Sequence, residues 1–355
     1  MNGIGLMSDD QQTFKLFQPG RLCLFGEHSD WAAEYGHHPG YCLVVGTDHG
    51  LRAEARQNPN RLRVFASVPG GDGQLSIDLP WVDPDAMTAA AKDQDEFFRY
   101  VVGTALSVKR LCGKIAGIDL FIDQDLPLGK GVSSSAAACV LTVRAFDELY
   151  NLGLLPFEVR KIAYQGERLT GSQCGRMDQA CIYGRTPVLL SFGSGSSMDV
   201  EPVSVPEPIY MFFVDLGGQK DTRKILADLR QAHHYGSSTV REYLGPVNEQ
   251  MVRDAYWALT HGDAEALGRF MIDAQQVFDR LVAPASPQEL ASPLLHQLLD
   301  WPGIREHIHG GKGVGSQGDG TAQFVVRSSW HRDRAMSLIE DLRPGMKCYP
   351  LTIGG

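Results

Sequence analysis

The chain has 355 residues, of which 43% are hydrophobic and 21% charged, with a formal net charge of −9. That is enough apolar material for a substantial core in about two domains, and the acidic balance argues against nucleic acid or an anionic membrane as the partner and for a small molecule. No run reaches the length of a membrane span, and the first twelve residues lack the basic-then-apolar pattern of a signal peptide, so a cytoplasmic location with no membrane partner is expected.

In chain order, Phe14 to Phe25 reads as a strand broken at Pro19-Gly20, and Tyr41 to Gly46 and Leu51 to Arg56 read as two more. Asp95 to Cys112 spaces Phe98, Val101, Val102, Ala105, Leu106 and Val108 as a helix does, and Ile115 to Ile122 alternates like a strand. A glycine-rich segment follows, and a buried helix is expected to start from it over Ser134 to Leu149. Phe157 to Gly166 predicts another helix, Gly171 to Gly184 is polar and glycine-punctuated, and Val188 to Ser191 resumes as a strand. Prolines and lost periodicity over Val200 to Pro208 place a domain boundary there, giving domains 1–205 and 206–355. Beyond it come the strand Ile209 to Val214, helices over Lys220 to Tyr235, Val247 to His261 and Ala264 to Leu281, a second glycine-rich run Gly310 to Gly320, and the strand Ala322 to Val326. The seven cysteines are scattered without a CxxC pair, so they read as free thiols rather than as zinc ligands or a redox dithiol.

The segment Pro127-Leu-Gly-Lys-Gly-Val-Ser-Ser-Ser-Ala-Ala137 joins a strand to a helix start. Small residues there let backbone N–H groups point at a phosphate, and the helix dipole favours the anion. Gly129 and Gly131 allow close approach, Lys130 offers a charge to the phosphates or projects into solvent, and the hydroxyls of Ser133, Ser134 and Ser135 suit phosphate oxygens or, for one of them, magnesium. An ordinary turn with a serine cap is the competing reading of the loop alone. It is neither a GxxxxGK[ST] loop nor a GxGxxG fingerprint.

Three further segments join it: Pro19-Gly-Arg-Leu-Cys-Leu-Phe-Gly-Glu-His-Ser-Asp-Trp31, Gly166-Glu-Arg-Leu-Thr-Gly-Ser-Gln-Cys-Gly-Arg-Met-Asp-Gln179 and Gly310-Gly-Lys-Gly-Val-Gly-Ser-Gln-Gly-Asp-Gly320. With the loop, and in this order, they resemble the motifs of the galactokinase, homoserine kinase, mevalonate kinase and phosphomevalonate kinase superfamily, the GHMP kinases, and most of all galactokinase-like sugar kinases. The resemblance implies an α+β, two-lobed fold, with an N-terminal ribosomal protein S5 domain 2-like lobe, a C-terminal ferredoxin-like lobe and the active site in the cleft. It implies ATP and Mg2+ as cofactors and a sugar substrate phosphorylated at its anomeric hydroxyl. A mevalonate-kinase-like enzyme acting on a non-sugar alcohol and a non-catalytic sugar sensor are the alternatives.

The resemblance also assigns residues. Asp178 is the expected general base, or the group that orients the attacking hydroxyl, and Arg21 the cation that stabilises the transferring phosphoryl. ATP is expected at Pro127, Gly129, Lys130, Gly131, Val132, Ser133, Ser134, Ser135 and Ala136. Magnesium is expected at Ser135 and at Glu167, which lies 11 positions before Asp178. Glu27, His28, Asp30 and Asp178 are expected to read the sugar hydroxyls, and Lys220, Thr222 and Arg223 resemble a segment opening a helix that faces the acceptor. Trp31 stands where the family commonly has tyrosine, so the pocket is shaped differently. Ser316, Gln317 and Asp319 replace alanine and glycine in the C-terminal motif, and Asp319 must point away from ATP to avoid repulsion. The pairs His37-His38 and His233-His234 are expected to face solvent.

Overall fold

The computed structural model describes residues 12–67, 73–93, 96–126, 131–194 and 197–355. It contains two compact units, each assembled from separated stretches of chain. The first draws its described residues from Met1–Gln18, Leu51–Asp125 and Ala138–Ser172, the second from Pro19–Gly50, Leu126–Ala137 and Gln173–Gly355. The strands in chain order are β1 (Phe14–Phe25), β2 (Gly40–Asn58), β3 (Arg61–Ser67), β4 (Gln74–Pro80), β5 (Gly117–Gln124), β6 (Val188–Phe192), β7 (Met198–Pro202), β8 (Ile209–Asp215), β9 (Ile308–Gly313), β10 (Thr321–Val326) and β11 (Lys347–Ile353). The helices are α1 (Ser29–Ala32), α2 (Pro84–Asp93), α3 (Glu96–Cys112), α4 (Ser134–Tyr150), α5 (Pro156–Leu169), α6 (Thr222–His234), α7 (Ser238–Glu242), α8 (Asn248–Thr260), α9 (Ala264–Leu281), α10 (Pro287–Leu290), α11 (Pro293–Leu299) and α12 (Ser329–Leu342).

In the first unit the second half of β2 pairs antiparallel with β5, from Leu51 opposite Gln124 to Asn58 opposite Gly117. β5 runs parallel to β3, and β3 antiparallel to β4. A parallel pair needs a crossover, and α2 and α3 supply it between β4 and β5. The apolar stripe of α3 is buried through Phe98, Val101, Val102, Ala105, Leu106 and Val108. Helices α3 and α5 cross where glycine is required on both sides: a Cβ on Gly103 would lie 2.7 Å from the Gly166 carbonyl, and one on Gly166 would run into Thr104. That crossing buries the last turns of α5, Glu167 included.

In the second unit the first half of β2 pairs with β6, from Gly40 opposite Phe192 to Val44 opposite Val188, and β6 with β7, all antiparallel. A four-stranded antiparallel sheet in the order β11-β8-β10-β9 follows. Phe212, Val214, Phe324 and Val326 of that sheet pack with Leu295 and Leu298 of α11 and Ala335 and Ile339 of α12. Fully burying each such large side chain contributes about 1.5–3 kcal/mol. A second core joins Trp31 to Ile225 and Leu229 of α6, Tyr243, Leu244 and Phe278.

Two expectations need correction. β1 does not break at Pro19-Gly20, because Gly20 is used for close approach: a Cβ there would sit 2.8 Å from the Val132 carbonyl. The two strands expected over residues 41–56 are one, β2, because the glycines at 46 and 50 do not stop it and Gly46 packs its bare face on the Gly184 carbonyl. The helices expected at residues 95–112, 134–149, 220–235, 247–261 and 264–281 are present within a few residues. The α+β class holds. Among the described residues no helix is long and apolar enough to cross a membrane.

Candidate active site

Apart from Glu167, every candidate site side chain described below belongs to the second unit. β1 carries Arg21 inward, 4% exposed, and then ends in a turn that only glycine can make: Gly26 has φ of 100°, and a Cβ on it would strike the Tyr41 carbonyl. Ser29 Oγ closes the turn by donating to the carbonyls of Gly26 and Tyr41, each at 2.8 Å. The turn delivers Glu27, His28 and Asp30 as buried polar groups, 3%, 5% and 3% exposed.

Each of the three is already held. Glu27 forms a buried ion pair with Lys312 of β9, whose Nζ also donates to the Gly313 carbonyl at 2.9 Å. Asp30 Oδ2 accepts from the Met177 N–H at 3.0 Å, and Gly175 leaves no room for a side chain beside that carboxylate. Burial, and after it the charge of Asp178, pushes the Asp30 carboxyl above the usual carboxylate range. His28 has a left-handed φ of 70° and its Nδ1 accepts from Trp31 Nε1 at 3.1 Å. Burial first, then the cations Lys220 and Arg230, push its pKa down to about 3, so the imidazole is neutral at pH 7.

The loop end and the expected base meet at Arg21. Its backbone N–H donates to the Val132 carbonyl at 3.1 Å and its Nη1 to the Gly131 carbonyl at 3.0 Å, while Nη2 pairs with Asp178 Oδ1. Ser133 Oγ donates to the same carboxylate oxygen at 3.0 Å. Burial disfavours the Arg21 charge, but Asp178 more than offsets this and raises its pKa above the ordinary value. Arg21, Ser133 and Asp178 thus form one hydrogen-bonded cluster at the start of α4, with Ser134, Ser135 and Ala136 in its first turn.

The second glycine-rich run is part strand, β9, and part turn. Its turn lies against the first loop: a Cβ on Gly315 would be 3.2 Å from the Gly131 carbonyl, and one on Gly131 would be 3.3 Å from that of Val314 and 3.6 Å from Lys220 Nζ. Lys220 Nζ donates to the Gln317 carbonyl at 2.9 Å, so a cation is tied across both glycine turns. Asp319 is engaged at the start of α11, where its Oδ1 accepts the Leu295 N–H at 3.0 Å. Thr222 opens α6, with Asp221 as its cap.

Of the expected ATP residues, Pro127, Gly129 and Lys130 lie outside the described residues; Gly131 through Ala136 are placed as above. Of the expected magnesium pair, Ser135 stands in the second unit and Glu167, 1% exposed, in the first. A buried carboxylate and a hydroxyl are hard oxygen donors, the kind that suits Mg2+. Sequence reasoning did not assign Lys312 or Trp31 a role beside Glu27 and His28. The signal for Lys312 was a lone lysine among glycines in a segment otherwise too tight for side chains.

The histidine expectation is corrected at one position. His37 and His234 are exposed, and His38 Nε2 stands 3.3 Å from Glu249, but His233 is 3% exposed. It follows Ile225 and Leu229 at intervals of four, so α6 turns it onto the apolar face, against Trp31 and Tyr35. Burial, then the neighbouring His37, push its pKa down to about 4. All seven cysteines are free thiols, as expected.

Against known proteins, residues 99–185 match the GHMP kinases N terminal domain. The chain is 27% identical over 297 residues to a galactokinase of Actinobacillus succinogenes, covering 73% of this chain and 72% of that protein. It superposes on the crystal structure of L. major mevalonate kinase in complex with R-mevalonate at a TM-score of 0.74, with 22% identity and 98% of each chain covered. On Lactococcus lactis galactokinase complexed with galactose the TM-score is 0.72, with 18% identity, over 98% of this chain and 95% of that one. The fold is therefore the one those kinases share, and the resemblance seen in the sequence motifs is to the GHMP kinases.

Proposed function

We propose that this chain, which carries a GHMP kinase N-terminal domain and shares the fold of galactokinase and mevalonate kinase, transfers the γ-phosphoryl of ATP to a sugar hydroxyl, the anomeric one of a monosaccharide. The observation that carries the reading is the cluster of Arg21, Ser133 and Asp178 at the start of α4. Phosphoryl transfer asks a protein for positioning and for charge stabilisation, and this cluster offers both. Asp178 accepts or orients the proton of the attacking hydroxyl. Arg21, already charged and fixed by the Gly131 carbonyl, stabilises the charge spreading over the phosphoryl oxygens. Backbone N–H groups at the head of α4 receive the phosphates, favoured by the helix dipole. Ser135 would offer its hydroxyl to Mg2+, which neutralises phosphate charge when bound. Glu27, His28 and Asp30 line the sugar side, Glu27 acting in concert with Lys312.

The retained Arg21 and Asp178 favour an enzyme over a sugar sensor, which needs neither for chemistry. We place the boundary between the two domains at residues 205/206, in the loop between β7 and β8 where one set of strands gives way to the next. The test is ADP release over a panel of free sugars, sugar phosphates and mevalonate. Turnover with a monosaccharide supports the reading, turnover with mevalonate alone assigns the chain to a non-sugar alcohol, and sugar binding without any turnover assigns it to a sensor. Asp178→Asn should lower kcat by about 10²- to 10⁴-fold, the usual worth of a positioned base, with ATP binding retained. Near-normal kcat in that variant removes Asp178 from the mechanism.

A further inference from the structure

We propose that Trp31 is a positioning residue for the acceptor: its indole N–H fixes His28 in the tautomer protonated at Nε2 and so makes His28 a hydrogen-bond donor to an oxygen of the substrate. The proposal deepens the sugar-kinase reading of this site and rests on it.

An indole nitrogen can only donate, and Trp31 Nε1 lies 3.1 Å from His28 Nδ1. Nδ1 must then be the unprotonated nitrogen, and in a neutral imidazole the proton sits on Nε2. Neutrality follows from burial and from the positive groups around the ring, Lys220, Arg230 and Lys312, with Asp178 the opposing charge. Among the described residues the buried Nε2 has no hydrogen-bond partner. A buried donor without a partner is costly, and a native protein retains one where a ligand completes it. The left-handed φ of His28 is a second such cost, of the kind that collects at binding sites.

Trp31 is well placed to impose a tautomer because it cannot move. It is 2% exposed, packed among Ile225, Leu229, Tyr243 and Phe278, and covered by the Arg230 guanidinium 5.4 Å from its ring centroid. A phenol at this position would offer a hydroxyl that donates or accepts and would leave the imidazole free to choose; the indole removes that choice. The consequence is a requirement on the substrate. The atom facing Nε2 must carry a lone pair, as a hydroxyl, ring or carbonyl oxygen does. A deoxy carbon or an ammonium group there leaves Nε2 unpaired, and the ammonium also meets the cations Lys220, Arg230 and Lys312.

The experiment has two arms. In ¹⁵N-resolved spectra of the unaltered protein at neutral pH, with His28 assigned by its loss in His28→Gln, the expected result is a pyridine-like Nδ1 and a pyrrole-like Nε2. A protonated Nδ1 overturns the proposal whatever the activity, and needs no variant to fold. In kinetics, Trp31→Phe keeps an aromatic ring and removes the donor; the KM for the acceptor should rise about three- to tenfold, the worth of one neutral hydrogen bond, with the KM for ATP unchanged. An unchanged acceptor KM in a folded Trp31→Phe protein also overturns it. Absence of turnover with every acceptor would instead refute the sugar-kinase reading, while the spectrum still decides the tautomer.

Discussion

Removing Lys312 should unfold this protein far more readily than removing an exposed lysine, and the deficit should be repaired by removing its partner. Lys312 and Glu27 are 1% and 3% exposed and pair with each other. Lys312→Met keeps an unbranched side chain, one atom shorter and without the ammonium that lies 5.8 Å from the Phe25 ring centroid, but it strands the Glu27 carboxylate in a buried site. Breaking a buried pair by deleting one partner costs about 3–5 kcal/mol, most of it the uncompensated charge. For a cooperative unit of about 150–250 residues each kcal/mol moves the thermal midpoint by about 2–4 °C, so a fall of about 6–20 °C is expected. Adding Glu27→Leu removes the stranded charge and should recover most of that loss, because a well-packed apolar pair replaces a buried ion pair at little cost. Differential scanning calorimetry of the two variants reads both effects. A single variant within about 2 °C of the unaltered protein, or a double variant no better than the single, would refute the argument that the charge rather than the packing is at stake.

Ser133→Gly should separate activity from stability. The left-handed φ of 57° costs a residue with a side chain about 1–2 kcal/mol, which glycine avoids, so the thermal midpoint should hold while kcat falls about tenfold with the loss of one hydrogen bond to Asp178. Unchanged kcat would take Ser133 out of the base's environment. Acid should destabilise the fold earlier than its carboxylates alone require. His28 and His233 have folded pKa values of about 3 and about 4, below the unfolded value near 6.5, so the unfolded chain binds more protons in between. Their contribution is complete above about pH 6.5 and is lost as pH falls from there towards those values. His233→Asn should flatten the slope, and a stability profile level from neutral pH down to about pH 4 would contradict the burial of both rings.

What could be read from the sequence was whatever is decided locally. Helices α3, α4, α6, α8 and α9 were legible because an apolar face repeats every three or four residues regardless of what it packs on. The errors fall where a residue's meaning depends on a segment distant in the chain. Pro19-Gly20 reads as a break until Val132 is seen to need the space a side chain would fill, and Gly46 likewise until Gly184 is seen against it. The pairing of Glu27 with Lys312, 285 positions away, could not be seen from either segment alone. His233 reads as half of an exposed pair until the helix it ends is packed on Trp31. The same dependence explains why the acceptor side is the less legible half of the site: its residue types announce hydrogen bonding, but whether each donates or accepts is decided by a second side chain. For His28 that side chain is Trp31, and the direction of one hydrogen bond makes the substrate atom read there an acceptor.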